Sequence, residues 1–294
     1  MFVSNVSKLA LGTVQLGLPY GISNFSGQTS FAEAGNMLKF ALANGIDTLD
    51  TAISYGNSEM RLGEVGTQGF KLVSKLPALP DGCVDIGAWV IRQTEESMSR
   101  MGASKIYGML LHKPDQLLGP HGALLYQALQ ALKDRGQVQK IGVSIYSPSE
   151  LDLLTQSYHF DLVQAPFSLV DRRLHSTGWM QRLKDDGAEV HTRSVFLQGL
   201  LLMAATDMPN KFAKWNDLWR TWHKWIADYD GSAVQACLAF PLSFCEIDRV
   251  VVGADSLKQL VQIVSAANGH AIKGYPDLCC EDENLINPAR WSKL

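Results

Sequence analysis

No stretch of this chain is apolar for the roughly 18 to 20 residues that a membrane-spanning helix needs; the best run, Leu200 to Ala205, is far shorter. The opening MFVSNVSKLALG lacks a basic segment followed by an apolar one and a small-residue cleavage site, so no export signal is expected and the protein is expected in the cytoplasm. The five cysteines, Cys83, Cys237, Cys245, Cys279 and Cys280, are odd in number and never spaced CxxC. That pattern argues against both a disulfide framework and a zinc site, and no metal centre is expected. Positive charge is not in excess either: 26 Lys and Arg against 29 Asp and Glu give a net charge of -3. Nucleic acid and anionic membranes therefore have little to hold. Finally, no GxGxxG opens the first helix, as a Rossmann domain would require.

What is present is apolar residue in quantity, 46% of 294 positions, enough for a large core around a small-molecule site. Read for period, short β-branched or apolar runs alternate with patterns of about 3.6 residues. The strand candidates are Leu9–Thr13, Asp47–Ala52, Lys71–Leu76, Ile106–His112, Lys140–Ile145, Leu162–Phe167, Glu189–Phe196 and Arg249–Ala254. Helix starts are marked as well. Ser30 with Glu33 makes a capping box, Phe31, Ala34, Leu38, Ala41 and Leu42 line one face, and Asn44-Gly45 stops the helix. Ser147, Pro148 and Glu150 make a second box, with Pro where its missing N–H costs nothing. Strands apolar along their length and alternating with helices give a parallel sheet covered by helices. Eight such units favour a single-domain α/β fold over 1–294, a closed (β/α)8 TIM barrel, above a doubly wound open sheet.

A Trp-rich insertion, 197–229, follows the seventh strand. Trp215, Trp219 and Trp222 are spaced i, i+4, i+7 and share a helical face. That face either packs the insertion onto the barrel rim or roofs a substrate pocket. The acidic stretch Glu281 to Asn284 reads as a solvated segment.

Barrel chemistry sits at the carboxyl ends of strands. There the chain carries Asp50 and Tyr55 in LDTAISYG, Lys75 in LVSKLP and His112 in MLLHKPD. Reducing a carbonyl by hydride leaves an alkoxide that needs a proton, and a phenol of pKa about 10 is a poor donor near neutrality unless a cation stabilises its phenolate. Lys75 can be that cation, Asp50 can keep it charged and oriented, and His112 can donate to the substrate oxygen. Singly, each residue reads as a cap or a satisfied polar group; together and in this order they read as a site.

The combination resembles the aldo-keto reductase family. The match runs from about Leu9 to Leu260 and includes LGT at strand one, DTAxxYG as Asp50 to Gly56, the Lys75 and His112 contexts, and GVSxxSPSEL from Gly142 to Leu151. The resemblance implies NAD(P)H across the barrel mouth, an aldehyde or ketone substrate, and Tyr55 as general acid and base. It places Thr13, Ser144 and Gln164 near the nicotinamide, Ser194, Phe196 and Gly199 along the pyrophosphate, and Gly253 and Ala254 at the adenosine end. The chain departs from the family pattern at Ile145, where an Asn is common, and at Arg193, where an aromatic residue often stacks on the nicotinamide. The planar guanidinium can still stack on the cofactor, although its charge would disfavour the positively charged oxidised ring and can address an anionic substrate group instead. VVVGADSLKQLVQIV offers only Lys258 for a 2′-phosphate, has Gln259 and Gln262 where Arg and Glu often stand, and adds Asp255. The family habit favours NADP(H), and these residues leave NAD(H) open.

The segments LGTVQLGLPYGI and INPARW resemble a bacterial branch associated with sugar and surface-polysaccharide metabolism, which points to a sugar-like carbonyl. Two rivals share the barrel: a nicotinamide-binding regulatory subunit, and a cofactor-independent lyase or isomerase using Lys75 as a Schiff base. Nothing in the residues sets an oligomeric state.

Overall fold

The computed structural model describes residues 5–24, 26–270, 272 and 274–294. Eight strands, β1 (Leu9–Gly12), β2 (Thr48–Asp50), β3 (Lys71–Leu76), β4 (Ile106–Leu111), β5 (Val138–Ser144), β6 (Leu162–Pro166), β7 (Glu189–Arg193) and β8 (Arg249–Gly253), form a closed barrel in sequence order. Every neighbouring pair is parallel, including β8 with β1. The register sets Gly12 beside both Asp50 and Gly253, and Ser144 beside Gln164, so five strand ends, three of them carrying polar side chains, meet at one end.

Most strand side chains facing the helix layer are apolar and form the main core between the two layers, although Ser74 of β3 donates there to Glu59 at 2.7 Å. Val73, Leu110 and Leu162 form a separate, fully buried cluster with Tyr107 packed against it. That cluster fills the barrel interior, so the site above it has a closed floor.

The first boxed helix, α1 (Phe31–Ala43), is capped by Ser30, whose side chain accepts from the Glu33 N–H. Such a cap stabilises by about 1 kcal/mol. Glu33 does not complete the box. Its carboxylate instead accepts from the Leu257 N–H at 2.6 Å, at the start of the helix Leu257–Ala267. The second box is made as expected from its acidic side: Glu150 Oε1 accepts from the N–H groups of Tyr146 and Ser147 at 2.7 and 2.8 Å, and the helix runs Ser149–Leu154.

The main boundary difference is at β7. The strand stops at Arg193 because Ser194 takes a left-handed backbone, φ 65°, and Leu197, Gln198 and Gly199 also have positive φ. Ser194 and Phe196 therefore lie on a turn leading into the 3-10 segment Leu197–Leu202 rather than on a strand. In the segment that follows, Trp219 and Trp222 are buried on the helix Asn216–Asp228, and Trp215 ends the 3-10 turn before it. The Trp219 and Trp222 indoles donate to the carbonyls of Phe212 and Leu201. These rings tie the segment to itself and to the β7 loop. Among the described residues no helix is long and apolar enough to cross a membrane.

Candidate active site

Asp50 is the last residue of β2, and the chain then turns sharply: Ile53 N–H still reaches the Lys75 carbonyl, and Tyr55 N–H closes a turn on Ala52. This presents the Tyr55 ring over β3. Lys75 Nζ lies 5.1 Å from the centre of that ring. It donates to Asp50 Oδ1 at 2.7 Å and to the Thr51 carbonyl at 2.8 Å. Lys75 and Asp50 side chains are 1% and 6% exposed, so the pair is dry and its field on the phenol is little screened. Burial alone would lower the lysine's pKa; Asp50 and Tyr55 outweigh it, and the ammonium is held charged.

Asp50 is oriented from two sides. Its Oδ2 accepts from Gln164 Nε2 at 2.6 Å, and Gln164 Oε1 accepts from the Ser144 hydroxyl at 3.1 Å. Its carbonyl accepts from the N–H and hydroxyl of the fully buried Thr13.

His112 follows β4 and packs edge-on to Tyr55, with ring centres 5.8 Å apart. Burial first, then the charges of Lys75 and Arg193, push its pKa down to about 4. It is neutral near pH 7. Its Nδ1 lies 3.1 Å from Ser54 Oγ; a hydroxyl donating there selects the tautomer with hydrogen on Nε2. Arg193 lays its guanidinium 4.7 Å from the centre of the Tyr146 ring and donates to the Ile145 carbonyl at 2.8 Å. No carboxylate pairs with it among the described residues, so the mouth holds one uncompensated cation.

These groups stand at one end of a cavity of about 680 Å³. Asp50, Tyr55 and His112 line it, with Lys75 behind them. Thr13, Ser144, Gln164, Arg193, Ser194, Phe196, Gly199, Gly253 and Gln262 line it too. Two residues assigned to the cofactor do not. Ala254 is buried beneath the wall, and Lys258 is exposed outside the lining on the helix Leu257–Ala267. The tryptophans of the insertion are also absent from the lining, so the roof reading is replaced by packing.

The wall carries features that suit an extended polar ligand. A side chain at Gly199 (φ 92°) would collide with the Ser23 hydroxyl, and one at Gly253 with the Gln15 amide. Both backbones are thus open to the cavity only because glycine is there. Gln15 is 8% exposed, and its Oε1 has no partner. Among the described residues no cluster is suited to a metal ion.

Sequence reasoning missed Gln15, Tyr20, Tyr146, Gln198 and the wall position of Asp255. It also missed the segment around Asn24, which straps the wall. Ile22 N–H donates to the Gln198 carbonyl, Gln198 Nε2 donates to the Tyr20 hydroxyl, and Asn24 Nδ2 donates to Asp255 Oδ1 at 3.1 Å. Pro288 and Ala289 close the rim from the C-terminal segment.

The profile described as the aldo/keto reductase family matches residues 8–272. Aldo-keto reductase YhdN of Bacillus subtilis (strain 168) is 25% identical over 182 residues, 58% of this chain and 53% of the relative, so the match spans about half of that protein's length. The fold is similar to the holo form of aldo-keto reductase AKR11C1 from Bacillus halodurans, with TM-score 0.72 and 20% identity over 90% of this chain and 88% of that one. It is also similar to the glycerol dehydrogenase AKR11B4 from Gluconobacter oxydans, with TM-score 0.67 and 20% identity over the same shares.

Proposed function

The chain belongs to the aldo/keto reductase family, whose members are oxidoreductases acting on carbonyls, and we propose that it reduces a sugar-like aldehyde or ketone with NAD(P)H, using Tyr55 as proton donor. The observation that carries this reading is the dry Asp50–Lys75 pair set against the Tyr55 ring at the end of a long, glycine-walled cavity.

Bound along that cavity, the cofactor supplies the hydride. The chain's own residues do the rest. Ser144 and Gln164 would hold the nicotinamide carboxamide, and Ser194, Phe196 and Gly199 would follow the pyrophosphate. His112, neutral, donates from Nε2 to the substrate oxygen. Tyr55 gives that oxygen its proton, and the Lys75 ammonium, kept in place by Asp50, stabilises the phenolate that remains. Arg193 offers its unpaired charge to an anionic group on the substrate.

The same geometry disfavours a Schiff-base mechanism, because an amine nucleophile must be uncharged and Lys75 is bonded to a carboxylate. The test is label transfer. The protein is supplied with reduced cofactor carrying deuterium at nicotinamide C4 and with glyceraldehyde or 4-nitrobenzaldehyde as probe. Deuterium at the new carbinol carbon is expected. Cofactor that binds while no label moves to any of a broad set of aldehydes and ketones would contradict catalysis and favour the regulatory-subunit reading.

A further inference from the structure

We infer that this cavity selects NAD(H) over NADP(H), against the family habit, and that Asp255 is the residue that discriminates. The inference rests on the proposed nicotinamide site and concerns its far end.

NADP(H) differs from NAD(H) only by a 2′-phosphate, a near-dianion that needs cations or free N–H groups. The start of a helix is the usual seat for such a group, because its first N–H groups are unpaired and its dipole is positive there. The N-terminus of the helix Leu257–Ala267 stands at this end of the cavity, but two of its first three N–H groups are already engaged. The Leu257 N–H donates to the Glu33 carboxylate at 2.6 Å, and the Gln259 N–H to Ser256 Oγ at 3.3 Å. Asp255 N–H, just ahead of the helix, donates to Gln259 Oε1 at 2.8 Å. An anion from α1 already occupies the seat, and a second carboxylate, Asp255, lines the wall beside it.

No cation offsets them from the wall. Among the described lining residues the only arginine is Arg193, grouped with His112 and Tyr146 at the opposite, catalytic end, and there is no lysine. Lys258 is exposed outside the lining, and Arg61, the other nearby cation, points its guanidinium at the Thr29 carbonyl. A 2′-phosphate placed here would meet two half-buried carboxylates with partial shielding from water.

A ribose that keeps its 2′-hydroxyl meets the opposite situation. Asp255 Oδ1 accepts from Asn24 Nδ2 at 3.1 Å, and Oδ2 has only a long 3.5 Å contact with Gln259 Nε2. The carboxylate therefore keeps acceptor capacity for ribose hydroxyls, with Gln262 on the same wall as a further polar partner. An acidic side chain accepting from a ribose 2′-hydroxyl is the physical basis of NAD selection in unrelated folds as well. Asp255 also anchors the strap through Asn24, so the discriminating residue holds the cover that closes over the cofactor path.

The test separates the adenosine end from the chemistry. Calorimetric titration of the native chain is run with NADH, NADPH, ADP and 2′,5′-ADP, then repeated on Asp255→Asn and Lys258→Ala, with thermal melting as the check on folding. NADH is expected to bind at least about tenfold more tightly than NADPH, and ADP more tightly than 2′,5′-ADP in the same sense. Asp255→Asn is expected to shrink both ratios at least about threefold, and Lys258→Ala to leave them unchanged. NADPH binding as tightly as NADH, or ratios that fall with Lys258→Ala or persist in Asp255→Asn, would overturn the inference and leave the proposed reaction standing. Failure of both dinucleotides to bind the folded native chain would overturn both.

Discussion

The two ends of this barrel carry the same three chemical groups in different contact. At the mouth Tyr55, Lys75 and Asp50 meet; at the opposite, amino-terminal end Tyr107 meets Lys71, Lys140 and Glu189. The lysine-to-ring distances barely differ: 5.1 Å for Lys75 over Tyr55, against 5.4 and 5.6 Å for Lys71 and Lys140 over Tyr107. What differs is the partner of the phenol. Tyr107 donates directly to Glu189 Oε1 at 2.6 Å, and burial together with that carboxylate holds its proton well above the ordinary tyrosine range. At the mouth the carboxylate is engaged by Lys75 and Gln164 instead. A phenol bonded to an anion keeps its proton; a phenol facing an ammonium can give it up. The ends also differ in water. Lys71 and Lys140 are 41% and 27% exposed, whereas Lys75 is 1% exposed. One cluster is a solvated set of ion pairs, and the other is a dry pair set against one phenol ring.

The sharpest way to break this comparison is to remove a lysine from each end. Lys75→Met strands the buried Asp50 carboxylate and is expected to cost about 3–5 kcal/mol of stability and to reduce turnover by about 10²- to 10⁴-fold. Lys140→Met is expected to cost less than about 1 kcal/mol and to leave turnover unchanged. Urea denaturation with steady-state rates checks both, and equal losses at the two ends would remove the distinction.

Acid titration separates the ends next. The folded pKa of His112 is lowered from 6.5 to about 4, chiefly by burial, so below pH 6.5 the unfolded chain binds the proton that the folded one refuses. Stability from this group falls between pH 6.5 and about 4. Glu189 is lowered from 4.5: burial opposes the shift, and His191, Tyr107 and Lys140 beside its carboxylate overcome it. Its contribution is complete above pH 4.5 and is lost only as pH falls below that. His112→Gln is expected to flatten the upper window and Glu189→Gln the lower one, read as urea midpoints against pH. A swap of the two windows would contradict the assignment.

A smaller effect sharpens the mouth itself. Arg193→Ala is expected to lower kcat/KM for anionic carbonyls about tenfold relative to neutral ones of similar size. An unchanged ratio would remove Arg193 as a substrate handle.

Much of this was legible in the sequence because it is local. A polar residue closing an apolar strand announces itself, and Asp50, Lys75 and His112 were found that way. Eight strand runs with capped helices between them likewise specified a barrel. The strand end at Ser194 was not legible, since a left-handed serine after the β-branched and polar run VHTR has no sequence mark. The far wall was hidden for another reason. Glu33 reads as the partner of Ser30 three residues away, but it bonds Leu257, 224 positions on. Asn24 and Asp255 are 231 positions apart, and nothing in either neighbourhood announces the other. Lys258 is the one basic side chain that VVVGADSLKQLVQIV offers to a 2′-phosphate, and it stands exposed outside the cavity lining. The segments LPYGI and INPARW, which had no mechanistic meaning as motifs, supply Tyr20, Gly21, Pro288 and Ala289 to the cavity wall.

The central claim is that the order of contact among tyrosine, lysine and carboxylate, rather than their presence, makes one end of the barrel reactive. The direct test is the single-turnover rate of carbonyl reduction, at saturating reduced cofactor, for Tyr55→Phe and Tyr107→Phe beside the native protein. The account predicts a fall of about 10²- to 10⁴-fold for Tyr55→Phe with dinucleotide affinity retained, and a change of less than about twofold for Tyr107→Phe. A Tyr55→Phe protein that binds cofactor and reduces carbonyls at the native rate would contradict it.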